Sequence, residues 1–194
     1  MEVMNIRRHK MRIRAGNKPR DPVKVAWGLM KNDLTDLAIE VLEDHLRERA
    51  DDINALLLLA LIHEEIADHR AFSMRAEKNR NQAIESCYRN VLKIDPGNLN
   101  ALLGMGRRLH PYGECWYLKA RKAAPADPQP LLELALLYAD RDETGDRDRA
   151  HECFRELILR HNRRVFKKHY KEFLLSIGRT PTEALKEIKS INNK

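Results

Sequence analysis

Aromatic side chains are scarce in this 194-residue chain: Phe, Tyr and Trp make up 6% of it, while Leu and Ala dominate. That balance suits an all-α chain. No stretch alternates apolar and polar residues with the two-residue period of a strand, so sheet architectures drop out. Cysteine is scarce too. Cys87, Cys115 and Cys153 are odd in number, widely spaced and form no C-x-x-C pair. This reads as buried, reduced thiols in a cytosolic protein, not as a disulfide framework or redox motif. Long apolar runs are missing: the longest, Ala55 to Ile62, stops after eight residues, against the roughly 20 that a membrane-crossing helix needs. The N-terminus is basic without an apolar core behind it, which argues against a secretory signal. Its Arg-rich, acid-poor start leaves an organellar transit peptide as an alternative, weakened by the lack of Ser and poor amphipathicity. Cytoplasm is the expected location.

Recognisable chemistry is absent as well. His63-Glu64-Glu65 has no second His four residues after His63, and His110 and Cys115 lack the companions of a tetrahedral zinc site. His151 and Cys153 stand two apart, which on a helix sends them to different faces. There is no Gly-rich phosphate loop and no G-x-S-x-G. The expectation is a non-enzyme with no catalytic residues, no metal and no cofactor.

What the chain does have is a lopsided charge and a repeating helical pattern. Residues 1–31 carry nine Lys/Arg against Glu2 and Asp21, and residues 155–194 carry eleven against four acids; residues 32–154 hold sixteen against twenty-three. Basic ends on an acidic body imply a polyanionic partner or ends that fold back on the body. The pattern is clearest between Pro128 and Leu157. Leu131, Leu134, Ala135 and Tyr138 share one helical face, then Ala150, Phe154 and Leu157 share another, with the polar, Gly-containing DRDETGDRD between them. Small residues at Ala135 and Ala150 let the two helices approach, and Tyr138 and Phe154 fill the space beside them. The first pattern recurs at Leu56, Leu59 and Ala60, and again at Leu102, Met105 and Gly106. The second recurs at Ala38, Leu42 and His45 and at Tyr117 and Ala120 before Pro125. Paired helices with a period in the thirties make a solenoid of hairpins.

These residues resemble the tetratricopeptide repeat, a W/L-x2-L-G-x2-Y helix followed by an A-x3-F/Y-x2-A helix and a Pro. The best matches are Ile94 to Gly106 and the Leu131–Leu157 unit. The resemblance spans about residues 22–191. It implies an all-α fold, a right-handed α-solenoid of antiparallel hairpins. On this reading residues 1–20 form a basic arm without regular structure, and residues 21–194 a single repeat domain. Its hairpins lie at about 21–50, 53–96, 99–125, 128–162 and 163–194.

The repeats are unequal. Asp21-Pro22 begins the first helix as N-cap and first turn, and Trp27 is expected to pack on the next helix or cap the open end, with ligand stacking as the alternative. The second hairpin has about a dozen extra residues between His63 and Ile84, predicting two longer helices with a turn in His69–Ser73. Asp95-Pro96-Gly97-Asn98 closes it. The third is shortened: Leu109 and Tyr117 are eight apart, so a tight break precedes a short helix over Glu114–Ala124. Adjacent Trp116 and Tyr117 should face opposite ways, and an outward Trp116 would suit partner contact. In the fifth, Phe166, His169, Tyr170 and Phe173 point inward, with Tyr170 where a small residue is usual. Gly178 ends that helix and Thr180-Pro181-Thr182-Glu183 starts the last.

Carried onto this chain, the resemblance implies a concave groove lined at the second, fifth and ninth places of each first helix. Those are Asn54, Leu57 and Leu61; Asn100, Leu103 and Arg107; Gln129, Leu132 and Leu136; and Arg164, Lys167 and Lys171. Leucines make an apolar trough, amides can bond a peptide backbone, and the cations mark one end. The carboxylate clamp of some family members needs Lys and Asn where this chain has Leu57, Leu61 and Leu103, so that clamp is not supported. The leading expectation is a non-catalytic adaptor that binds a helix or extended segment of another protein, with apolar anchors and acidic flanks. The second is association with nucleic acid or ribosomes through Arg7, Arg8, Lys10, Arg12, Arg14, Arg163, Arg164, Lys167 and Lys168. A chaperone-like binder of partly folded clients is a third, and self-association through an exposed groove or open end stays open.

Overall fold

The computed structural model describes residues 21–69, 74–141 and 143–191; the basic arm expected over 1–20 lies outside them. The described residues are all-α and contain ten helices. These are α1 (Pro22–Met30), α2 (Thr35–Glu48), α3 (Ile53–His69), α4 (Met74–Ile94), α5 (Leu99–Arg108), α6 (Glu114–Ala123), α7 (Gln129–Arg141), α8 (Asp146–His161), α9 (Arg164–Ser176) and α10 (Pro181–Ile191). They divide between two compact units, residues 1–96 and 97–194.

Helix starts follow the acceptors in the sequence. The Asp21 carboxylate accepts from the Val23 amide at 3.1 Å, with Pro22 in the first helical position. Asp52 accepts from the amides of Asn54 and Ala55 at 3.0 and 3.1 Å and lies 2.8 Å from His45 Nε2, so it caps α3 and ties it to α2. Asn98 caps α5 through the Ala101 amide at 3.2 Å. Thr180 and Glu183 exchange bonds at 2.9 and 3.3 Å in a capping box at the start of α10.

In the first unit α1 packs against α2 and α3, α2 against α3, and α3 against α4. Ala26, Ala38 and Ala60 are fully buried and allow close helix approach, with Leu29, Leu42, Leu56, Leu59, Ile84, Tyr88 and Val91 filling the space around them. Burying each large apolar side chain contributes about 1.5–3 kcal/mol. The second hairpin is long as expected, with helices of 17 and 21 residues. Beyond His69, the expected turn in His69–Ser73 falls outside the described residues. Tyr88 of α4 donates to Glu64 of α3 at 2.9 Å, satisfying its hydroxyl within the hairpin.

The second unit holds three hairpins, α5–α6, α7–α8 and α9–α10, in contact through α6–α7 and α8–α9. In the shortened hairpin Tyr117 turns inward and is 2% exposed, while Trp116 lies partly exposed with Lys119 Nζ 4.4 Å from its ring centroid. The small place of α5 must be glycine, because a Cβ on Gly106 would overlap the Tyr117 ring. Ala26, Ala60 and Ala135 suffice at the equivalent places. In the fourth hairpin Ala135, Ala150 and Phe154 are fully buried, and Tyr138 donates to Glu114 at 2.8 Å. Fully buried Asp146 at the start of α8 accepts from Arg141 Nε and Nη2 at 2.8 and 3.0 Å, tying the end of α7 to α8.

In the last hairpin Phe166, Tyr170 and Phe173 are buried, but His169 is only half-buried, with Nδ1 3.5 Å from Glu172 Oε2. Tyr170 fills the usual small place by stacking on Phe154, centroids 5.4 Å apart. Its hydroxyl donates to Glu187 at 2.7 Å and lies 2.9 Å from His151 Nδ1. Since that proton is committed to Glu187, the imidazole supplies the proton of the second contact. Gly178 takes φ +89° after α9, the left-handed conformation that closes a helix at low cost for glycine.

Candidate binding surface

Helical spacing decides which side chains leave the packed side of each first helix. In α3 the fully buried Ala60 faces inward, so Leu57 and Leu61, one turn apart, share a different face. Leu61 is 37% exposed and Leu57 is half-buried, with Asn54 exposed a turn earlier. The same register on α1, aligned on Ala26, brings out Val23 and Trp27. Val23 is half-buried and Trp27 is 43% exposed. The helices α1 and α3 are in contact, and these four side chains stand at equivalent repeat places on them. Trp27, expected to pack on the next helix or cap the end, is 43% exposed at the repeat place equivalent to Leu61. Val23 and Trp27 were missed as members of this set because the first helix is short and lacks the Leu pair of α3. Aligning Ala26 with Ala60 would have found them.

In the second unit the places differ in availability. Leu103 and Leu132 are buried at 5% and 8% exposure, whereas Leu136 is 37% exposed. Asn100 and Gln129 are exposed. Arg107 Nη1 lies 3.3 Å from Glu133 Oε1, and Gln129 Nε2 donates to the same oxygen at 3.1 Å. Glu133 thus brings α5 and α7 together and draws on the polar capacity of both Arg107 and Gln129. On α9, Arg164 is exposed, while Lys167 and Lys171 are half-buried. Among the polyanion-binding candidates, Arg7, Arg8, Lys10, Arg12 and Arg14 lie outside the described residues. Arg163 is 5.9 Å from the Phe166 ring centroid, and Lys168 Nζ is 3.8 Å from Glu172.

A concavity lies on another side of α3. A cleft of about 400 Å³ is lined by Leu46, Leu56, Leu59, His63 and Cys87, with Glu43 and Arg47 beside them. Burial lowers the pKa of His63, Glu43 raising it in part, and raises that of the Cys87 thiol to about 11. The thiol is therefore protonated at neutral pH and a poor nucleophile or ligand. Burial likewise pushes the Cys153 thiol up to about 11. Among the described residues, no group of three or more His, Cys, Asp or Glu side chains is placed to hold a metal. No helix among them is long and apolar enough to cross a membrane.

No protein-family model matches the sequence, and no curated protein matches it. Solved structures do. MamA from Desulfovibrio magneticus RS-1, over its residues 41 to the end, superposes with a TM-score of 0.65 at 17% identity, covering 89% of this chain and 96% of that one. A double mutant of MamA gives the same values. A thermophilic TPR protein of Thermus thermophilus superposes with a TM-score of 0.55 at 17% identity, covering 88% of this chain and 86% of that one. At this identity the likeness is one of fold. The chain has a TPR-like helical fold.

Proposed function

We propose that this chain is a non-catalytic protein-interaction scaffold that binds segments of partner proteins on the exposed faces of its first helices. The observation that carries the reading is a set of apolar side chains left open at equivalent repeat places: Trp27, Leu61 and Leu136, 43%, 37% and 37% exposed. A folded chain gains by burying such side chains, and recurrence at one register within each unit marks a binding face, not scattered exceptions. Residues 21–194 are read as one repeat domain as part of this proposal.

The partner is a helix or extended segment with apolar anchors. On the first unit Leu57 and Leu61 receive an anchor beside the amide of Asn54; on the second Leu136 receives one, with the amides of Asn100 and Gln129 near it and Leu103 and Leu132 buried beneath. Arg164, Lys167 and Lys171 favour an acidic flank, while Arg107 contributes less because Glu133 already faces it. The test is affinity capture with full-length chain carrying Leu61→Asp with Leu136→Asp, against Leu159→Asp as a control on a second helix. Leu159 is 59% exposed. A protein retained by wild type and the control, lost about tenfold or more from the double variant, supports the reading. Equal retention by all three contradicts it.

A further inference from the structure

The apolar face of the first unit is poorly matched to an acid-flanked partner. Residues 21–96 hold fifteen Asp/Glu against ten Lys/Arg. On α3 the row Leu57–Leu61 runs on to Glu64, which accepts from Tyr88, and to exposed Glu65. An apolar face on an acidic unit calls for an occupant with apolar anchors and basic neighbours. Residues 1–20 have that composition: seven Lys/Arg against Glu2, interleaved with Val3, Met4, Ile6, Met11 and Ile13. Residues 97–194 hold nineteen Lys/Arg against thirteen acids and would repel the same segment.

We infer that the face made by Val23, Trp27, Leu57 and Leu61 is the docking surface of the chain's own residues 1–20. The segment joins the chain at Asp21, the cap of α1, and so begins at the edge of the face it covers. Ile13 precedes Asp21 by eight residues, a reach of up to about 26 Å at roughly 3.3 Å per residue. The nine residues of α1 span about 13 Å at 1.5 Å each. Met11 and Ile13 therefore have the length to reach along α1 to Trp27, and Arg12 and Arg14 carry the charge that an acidic unit attracts. A second copy docked face to face would set acidic unit against acidic unit, which disfavours that occupant.

The tether makes weak contacts sufficient. A short link gives a local concentration of about 1 mM, so a segment that binds at about 0.1 mM in isolation is docked roughly nine-tenths of the time. A partner for the same face must displace it, at about a tenfold loss of apparent affinity. That consequence rests on the scaffold reading above; the docking does not, and it is testable without a partner.

Trp27 and Trp116 are the chain's two tryptophans, so full-length Trp116→Phe reports Trp27 alone. Acrylamide quenching is compared among three such proteins. One has the natural arm, one carries Met4→Ser, Ile6→Ser, Met11→Ser and Ile13→Ser, and one carries Arg7→Glu, Arg8→Glu, Arg12→Glu and Arg14→Glu. Circular dichroism checks that helix content is equal in all three. The expected result is a quenching constant at least about twofold higher in both arm variants, independent of protein concentration, as occupancy falls from roughly nine-tenths. Equal quenching in all three proteins overturns the inference. Protection that survives the arm substitutions and grows with protein concentration also overturns it, in favour of a second copy.

Discussion

Asp146 is the sharpest point at which to perturb the second unit. It is fully buried and accepts two bonds from the Arg141 side chain, at 2.8 and 3.0 Å, and one from the Glu143 amide at 3.2 Å. Removing one partner of a buried ion pair costs about 3–5 kcal/mol, mostly because the other charge is left without compensation. Arg141 would keep Glu114 Oε2 at 3.0 Å and Glu143 Oε2 at 3.4 Å. Asp146→Asn should therefore destabilise the unit by about 3 kcal/mol, the low end of that range. Urea unfolding in a Trp27→Phe background, where Trp116 is the reporter within that unit, measures this directly. Arg141→Met with Asp146→Asn should show a coupling of about 1 kcal/mol or more, since the orphaned charge is gone. Arg141 bonding holds the Asp146 carboxyl below the usual carboxylate range, against the opposing effect of burial. A depressed pKa means stability present above the unfolded value of about 3.9 and lost as pH falls through the folded value. Asp146→Asn should accordingly flatten the acid limb of the stability curve. A loss below about 0.5 kcal/mol, the range of an ordinary surface substitution, would refute the reasoning.

Other outcomes follow from the same packing. Gly106→Ala should cost about 1–3 kcal/mol by driving a methyl into the Tyr117 ring, and Tyr117→Leu in the same chain should recover part of it. Gly28→Ala should instead raise stability by about 0.5–1 kcal/mol in thermal or urea unfolding, because the added methyl meets nothing in α1. Cys115, expected to be buried with the other two thiols, is exposed, and with a maleimide at neutral pH it should react first. Buried Cys87 and Cys153, whose thiols burial pushes up to about 11, should react only as the chain opens, which mass spectrometry of timed samples would show.

Much of the fold could be read from one-dimensional spacing because each hairpin buries its own stripe. Ala26, Ala60, Ala135 and Ala150 stand at fixed intervals from Leu and aromatic partners, and all four are fully buried. Caps at Asp21, Asn98 and Thr180 were equally local, each an acceptor two or three residues from the amide it serves. Legibility failed where the outcome depends on a distant side chain. His169 has the spacing of an inward residue, yet Tyr170 and Phe173 take the space through Phe154 and Glu187, on helices the local period does not encode. Trp27 needed a register too: local spacing leaves it packing on the next helix or capping the end, and aligning Ala26 with Ala60 groups it with Leu61. At the surface places, spacing could list Leu57, Leu61, Leu103, Leu132 and Leu136 together, but exposure separates them. Leu103 and Leu132 are buried and Leu61 and Leu136 open, a difference made by tertiary neighbours and invisible to periodicity.

The central claim is that the first-helix faces take a protein partner. A photo-crosslinking residue placed at Leu136 in the full-length chain, inside the source cell, tests it most directly, with the same residue at Leu159 as comparison. Both positions are open, at 37% and 59% exposure, but only Leu136 stands at a first-helix place. The expected result is a discrete crosslinked protein from Leu136 that persists after nuclease treatment and is absent from Leu159. Crosslinks of equal yield from both positions, or adducts from Leu136 that disappear with nuclease, would contradict it.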